Sequence, residues 1–191
     1  KHKSTDRSKP LEKTELDKLT SLVNQIVLDY ETDPEHCALP LFVSYGVNRS
    51  VTEVPVRLRK KHAFDPMQVY NMSVSNSLNF RDFFEWYRER EDIENEQYRR
   101  SGSLVEDSQI KAVREAISQI MPGYGNFRVQ RNPRAVVMDK GDTTFYFEQL
   151  SEGEKCYITL VSDIARRLAI ANPNTENSLD GKGIVLIDEV E

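Results

Sequence analysis

Two stretches constrain this chain more than any others: Phe145-Tyr-Phe-Glu-Gln-Leu-Ser-Glu-Gly-Glu-Lys155 and Gly183-Ile-Val-Leu-Ile-Asp-Glu189. In the first, a β-like run gives way to Leu150-Ser151-Glu152-Gly153-Glu154, and a helix opens directly from it. Tyr157, Leu160, Val161, Ile164, Leu168 and Ala171 recur at helical spacing until Asn172-Pro173 stops the pattern. A serine, a glycine and free backbone N–H groups at a helix N-terminus suit an anion, because those donors have no partner within the helix and the dipole favours negative charge. In the second stretch, apolar β-formers Ile184 to Ile187 run into Asp188-Glu189. A strand ending in two adjacent carboxylates can put one on a magnesium ion and leave the other beside a water.

Size and composition bound the rest. A chain of 191 residues and 22.1 kDa makes one domain with a real core, or a piece of a larger one. A net charge of −5 gives no global basic character. Cys37 and Cys156 show neither CxxC nor Cys/His spacing, so nothing points to a disulfide framework or a zinc site. No apolar run approaches the ~18 residues of a membrane span, and Lys1-His2-Lys3-Ser4 is not a secretory signal. The expectation is a cytoplasmic protein with no membrane partner.

In chain order, Lys1–Pro10 reads as a linker or frayed end. Leu16, Leu19, Val23, Ile26 and Tyr30 alternate by three and four and predict a one-faced helix, with Thr14 and Asp17 as a capping box and Asp33-Pro34 as its stop. Leu39–Tyr45 predicts a buried strand that ends in Gly46-Val47-Asn48-Arg49. Arg57-Leu-Arg-Lys-Lys-His62 is the densest basic cluster; without interleaved aromatics it reads as a solvated loop rather than a nucleic-acid contact. Phe80, Phe83, Phe84 and Tyr87 put an aromatic core stripe on a helix over 79–97, with Trp86 off the stripe as a possible mark of a partner surface. Arg88–Glu96 reads as that helix's water-facing extension. Ile110, Val113, Ile117, Ile120 and Met121 define another helix, closed by Pro122-Gly123. Phe127–Gln130 and Ala135–Met138 predict short strands, and Thr143–Phe147 pairs back as a hairpin across Asp139–Asp142. Arg128, Arg131 and Arg134 gather nearby and read as balance for local acids.

Leu150-Ser-Glu-Gly-Glu-Lys155 resembles the signature loop of ABC-type ATPases, which usually reads Leu-Ser-Gly-Gly-Gln, and Ile184-Val-Leu-Ile-Asp-Glu189 resembles their Walker B strand. A wider set of residues extends the likeness: Ser44–Arg49, Asn79-Phe80, Phe83–Trp86, Arg88–Glu91, Pro122–Tyr124, Asp163–Ala169 and Asn172-Pro173. Together they resemble the SMC/RecF-like ATPases of bacterial antiviral defence, above all the ATPase subunits of Septu systems and of the retrons that carry them. Glu152 in place of a glycine, and Lys155 after Glu154, depart from transporter usage.

The resemblance implies an α/β fold: a partial ABC-type ATPase domain, with a mixed sheet, flanking helices and a helical insertion. It divides the chain into residues 1–50 (helix and core strand), 51–125 (mainly helical insertion or arm) and 126–191 (hairpin, signature loop and helix, Walker B strand). It further implies ATP and Mg2+ as cofactors. Ser151, Gly153 and Glu154 would bind nucleotide, Asp188 would hold the metal and Glu189 would be the catalytic base, with Asn48 and Arg49 candidates for lining the site. None of the eight glycines supplies the GxxxxGK[ST] loop that grips β- and γ-phosphates. The expectation is therefore an interior portion of a longer ATPase, carrying the half that caps nucleotide. Implied partners are a second copy in a head-to-tail ATP sandwich, an HNH-type nuclease subunit, and DNA or a retron nucleoprotein. Two alternatives stay open: a DNA-clamping assembly protein with little turnover, and an ATPase fused to its own nuclease domain.

Overall fold

The computed structural model describes residues 13–46, 66–71, 80–103 and 105–188. Asn48, Arg49, the basic run Arg57–His62 and Glu189 lie outside these. The chain divides into two units, residues 1–37 and 38–191. In the first, α1 (Lys13–Thr32) forms where the three-four spacing predicts it, although Thr14 is a helical residue and not the N-cap. The apolar face of α1 is largely open: Leu16, Leu19, Val23 and Leu28 are exposed, and Ile26 and Tyr30 are half-buried.

The second unit holds β1 (Leu41–Tyr45), α2 (Gln68–Asn71), α3 (Phe80–Ser101), α4 (Ser108–Ile120), β2 (Tyr124–Arg131), β3 (Arg134–Lys140), β4 (Thr143–Tyr146), α5 (Glu152–Ala171) and β5 (Gly183–Ile187). Two 3-10 turns, Phe147–Gln149 and Ser178–Asp180, flank α5. The α/β class is as expected, but the strands do not share one mixed sheet. Among the described residues β1 and β5 pair in parallel, Leu41 opposite Gly183 and Tyr45 opposite Ile187, while β2, β3 and β4 form a separate antiparallel sheet. Helices intervene: α5 packs on β1 and on α4, and α4 packs in turn on β2. No helix among the described residues is long and apolar enough to cross a membrane.

The core is built from the aromatic stripe of α3 against Ile110, Val113 and Ile117 of α4, Phe127 and Val129 of β2, and Val136 and Met138 of β3. Trp86 corrects the sequence reading. It is 1% exposed and belongs to this core, tilted against Phe83 with the Arg166 guanidinium 6.0 Å from its ring centre. A helix wedged between two other helices and a sheet buries more than one stripe, so a residue off the narrow face is still inside.

The second half of α3 is corrected too. Glu91 and Glu94 are buried, not water-facing, because Arg114 of α4 and Arg131 of β2 reach over them. Arg114 makes paired hydrogen bonds to Glu94, 3.0 and 3.1 Å, and donates to the Tyr87 hydroxyl. Glu91 accepts from the Val129 N–H and pairs with Arg131. Burial pushes the Glu91 carboxyl above its ordinary range despite those partners.

Candidate functional site

Two anchors deliver the Ser151 loop. Phe147 stacks on Phe80, ring centres 4.7 Å apart and 7° from parallel, and Leu150 is buried in the same core. Between and beyond them Glu148, Gln149, Ser151, Glu152 and Gly153 are exposed. Ser151 is the N-cap of α5, with the extended backbone that position requires. Its N–H and its hydroxyl both donate to the Glu154 carboxylate at 2.8 Å, and its oxygen accepts from the Glu154 N–H at 3.3 Å, a reciprocal capping box. The hydrogen bonds from Ser151 hold the Glu154 carboxyl below the usual range.

That box is a fit test for an anionic ligand. The donors at the head of α5 already hold an anionic oxygen, the chain's own, and a phosphate oxygen would replace it with like charge. Gly153 adds room. A Cβ built there meets nothing within 4 Å, and the backbone is not left-handed, so the fold itself makes no demand for glycine. Glu148 and Glu152 add negative charge beside the loop, Lys155 pairs with Glu152 at 2.9 Å, and the Lys140 ammonium of β3 acts on the Glu154 carboxylate.

At the other candidate place, Asp188 is exposed just past β5, and its N–H donates to the Tyr45 carbonyl at 2.9 Å, carrying the ladder one residue beyond the strand. Gly183, at the start of β5, is required by packing: a Cβ there would run into the Leu41 carbonyl oxygen. No group of three or more His, Cys, Asp or Glu side chains that could hold a metal occurs among the described residues.

The sequence reading assigned no role to a buried cluster that ties the two places together. Asp163, on α5, accepts from the Tyr45 hydroxyl at 2.9 Å and from Arg167 Nε at 2.7 Å, and pairs with Arg166. All four side chains are buried. Burial alone would raise the Asp163 carboxyl; the two guanidinium groups and the Tyr45 hydroxyl outweigh it and hold it below its ordinary value. Arg167 also donates to the Val69 carbonyl of α2. Nine residues on, Asn172 clamps the Leu39 backbone, its oxygen accepting the N–H at 3.0 Å and its amide donating to the carbonyl at 3.2 Å. The available signal was Asp163 with arginines three and four residues later, within a run of largely apolar helix positions.

These anchors fix a direction. Asp163 meets β1 at its C-terminal residue and Asn172 meets the chain just before its start, so α5 runs antiparallel to β1. The head of α5 thus points to the end of the parallel pair that carries Asp188. Ser151 precedes Asp163 by twelve residues, so it lies ~18 Å along the helix axis past the level of Tyr45.

No family model matches the chain. It is 33% identical over 224 residues to retron Vc95 probable ATPase of Vibrio cholerae serotype O1 biovar El Tor, covering 93% of this chain and 43% of that protein. It is 28% identical over 213 residues to retron Ec83 probable ATPase of Escherichia coli, covering 81% and 39% respectively. The chain thus spans less than half the length of the curated relatives it matches.

Proposed function

We propose that this chain is the signature-loop and Walker B portion of a retron-associated ATPase of ABC type, related to Septu ATPases, and that the whole protein is an ATP-hydrolysing switch controlling a partner nuclease in antiviral defence. The likeness to two retron probable ATPases along most of the chain supports the ATPase part. The observation that carries the site reading is the direction of α5, which sends the Ser151 loop to the end of the parallel pair that carries Asp188, ~18 Å along the helix axis past the level of Asp163. We read the loop as standing proud of that end, placed to close on the nucleotide held at the acid edge of a second copy set head to tail.

In such a sandwich Ser151 donates its hydroxyl and Gly153 its amide to γ-phosphate oxygens, once the Glu154 carboxylate has swung aside. Glu154 stays at the rim, as the anion that fills these donors between nucleotides. Asp188 holds Mg2+, which screens phosphate charge when bound, and Glu189 orients and deprotonates the attacking water. Nucleotide shared between copies favours the closed assembly, and hydrolysis releases it.

The test uses the full-length protein. Glu189→Gln is expected to bind ATP and accumulate as a closed assembly with turnover lost, read by single-turnover hydrolysis and light scattering. Normal steady-state turnover in that variant sinks the reading. Ser151→Arg, which removes the hydroxyl and adds bulk at the exposed head of α5, is expected to stay folded and fail to close.

A further inference from the structure

We propose that Asp163 and Tyr45 are positioning residues that lock the Ser151 loop to the Asp188 edge as one rigid body, so that closure on one nucleotide sets the geometry at the other. The proposal rests on the reading of those two places as parts of nucleotide sites. Its basis is where the buried bonds fall. Among the described residues the side-chain hydrogen bonds of the head of α5 stay within its first turn, Ser151 to Glu154 and Lys155 to Glu152.

Further along, the Tyr45 hydroxyl crosses from β1 to Asp163. The backbone of the same Tyr45 receives the Asp188 N–H. One residue therefore touches both sides: its side chain holds the helix that carries the loop, and its carbonyl holds the strand end that carries the acid. The two arginines keep the Asp163 carboxylate charged and fixed in a buried place, where an uncompensated charge would be costly. Asn172 on Leu39 supplies a second polar attachment between α5 and the β1 segment, beside the apolar packing of α5 on α4 and β1.

Tyr45→Phe removes the crossing bond and leaves the Asp163–arginine pairs in place. Tyr87→Phe is the matched control, deleting a buried hydroxyl that donates to the Phe127 carbonyl at 2.8 Å, away from the parallel pair. In full-length protein with Mg-ATP, Tyr45→Phe is expected to lower kcat on the order of tenfold to a hundredfold, the scale of a misplaced reacting geometry. KM for ATP and Tm should stay close to those of Tyr87→Phe, which should keep wild-type kcat. Without nucleotide, amide exchange along α5 should rise in Tyr45→Phe and not in Tyr87→Phe. Wild-type kcat in Tyr45→Phe, unchanged exchange, or equal loss in both variants overturns the proposal while the ATPase reading stands. A full-length wild type that neither binds nor hydrolyses ATP is a different result, and brings down the parent reading and this one together.

Discussion

At the head of α5, Ser151 and Glu154 bond to each other across three residues; further along, Asp163 and Asn172 bond to Tyr45 and Leu39, 118 and 133 positions away. The first arrangement is local and exposed. The second is buried, charged and expensive to disturb. A helix held this way has one end free to meet something outside the molecule and a body that fixes where the free end points. The same contrast separates two glycines. Gly183 has Leu41 pressed against it, whereas Gly153 faces open space. One is explained by the fold, and the other is not.

Four substitutions or conditions would break or sharpen that contrast, in falling order of effect. Asp163→Ala leaves Arg166 and Arg167 buried without their carboxylate and should cost roughly 3–5 kcal/mol, read as a shift in the denaturation midpoint. Gly183→Ala drives a methyl group into the Leu41 carbonyl and should cost about 1–3 kcal/mol by the same measurement. Gly153→Ala should behave in the opposite way: chemical denaturation should show the fold unchanged or steadier by up to ~1 kcal/mol, since alanine is the better helix former, while ATP turnover of the full-length protein falls. Equal losses of stability at positions 153 and 183 would erase the distinction between them.

The smallest effect is acid dependence. The folded-state value of Asp163 lies below its ordinary 3.8, so the stability it contributes is complete above that pH and is lost as pH falls through the depressed value. The stability gap between wild type and Asp163→Asn should therefore narrow only in strong acid. A gap that closed well above pH 3.8 would mean the carboxylate is not held by its arginines.

Much of this arrangement was legible in the sequence. The spacing of Phe80, Phe83, Phe84 and Tyr87 announced the core of α3, and Leu150–Glu154 running into the apolar spacing of Tyr157, Leu160 and Val161 announced the head of α5, because both depend on neighbours close in the chain. The parallel pairing of β1 with β5 was not readable from spacing, since it joins residues more than 130 positions apart. Glu91 and Glu94 were misread for a related reason. A charged run looks water-facing until Arg114 and Arg131 are folded over it from other elements. The Asp163 cluster was hidden in plain view, with its arginines beside it in sequence but its tyrosine on a distant strand. Asn48, Arg49 and Glu189 fall outside the described residues, and the assignments made to them rest on the motif alone.

The sole tryptophan of the chain gives this interior an optical signature. Trp86 sits on α3 with a cation from α5 over its ring, so its emission colour and its quenching report on one seam, the contact between those two helices. Any event that slides α5, whether nucleotide closure or an engineered fault at Tyr45, should change the fluorescence of Trp86.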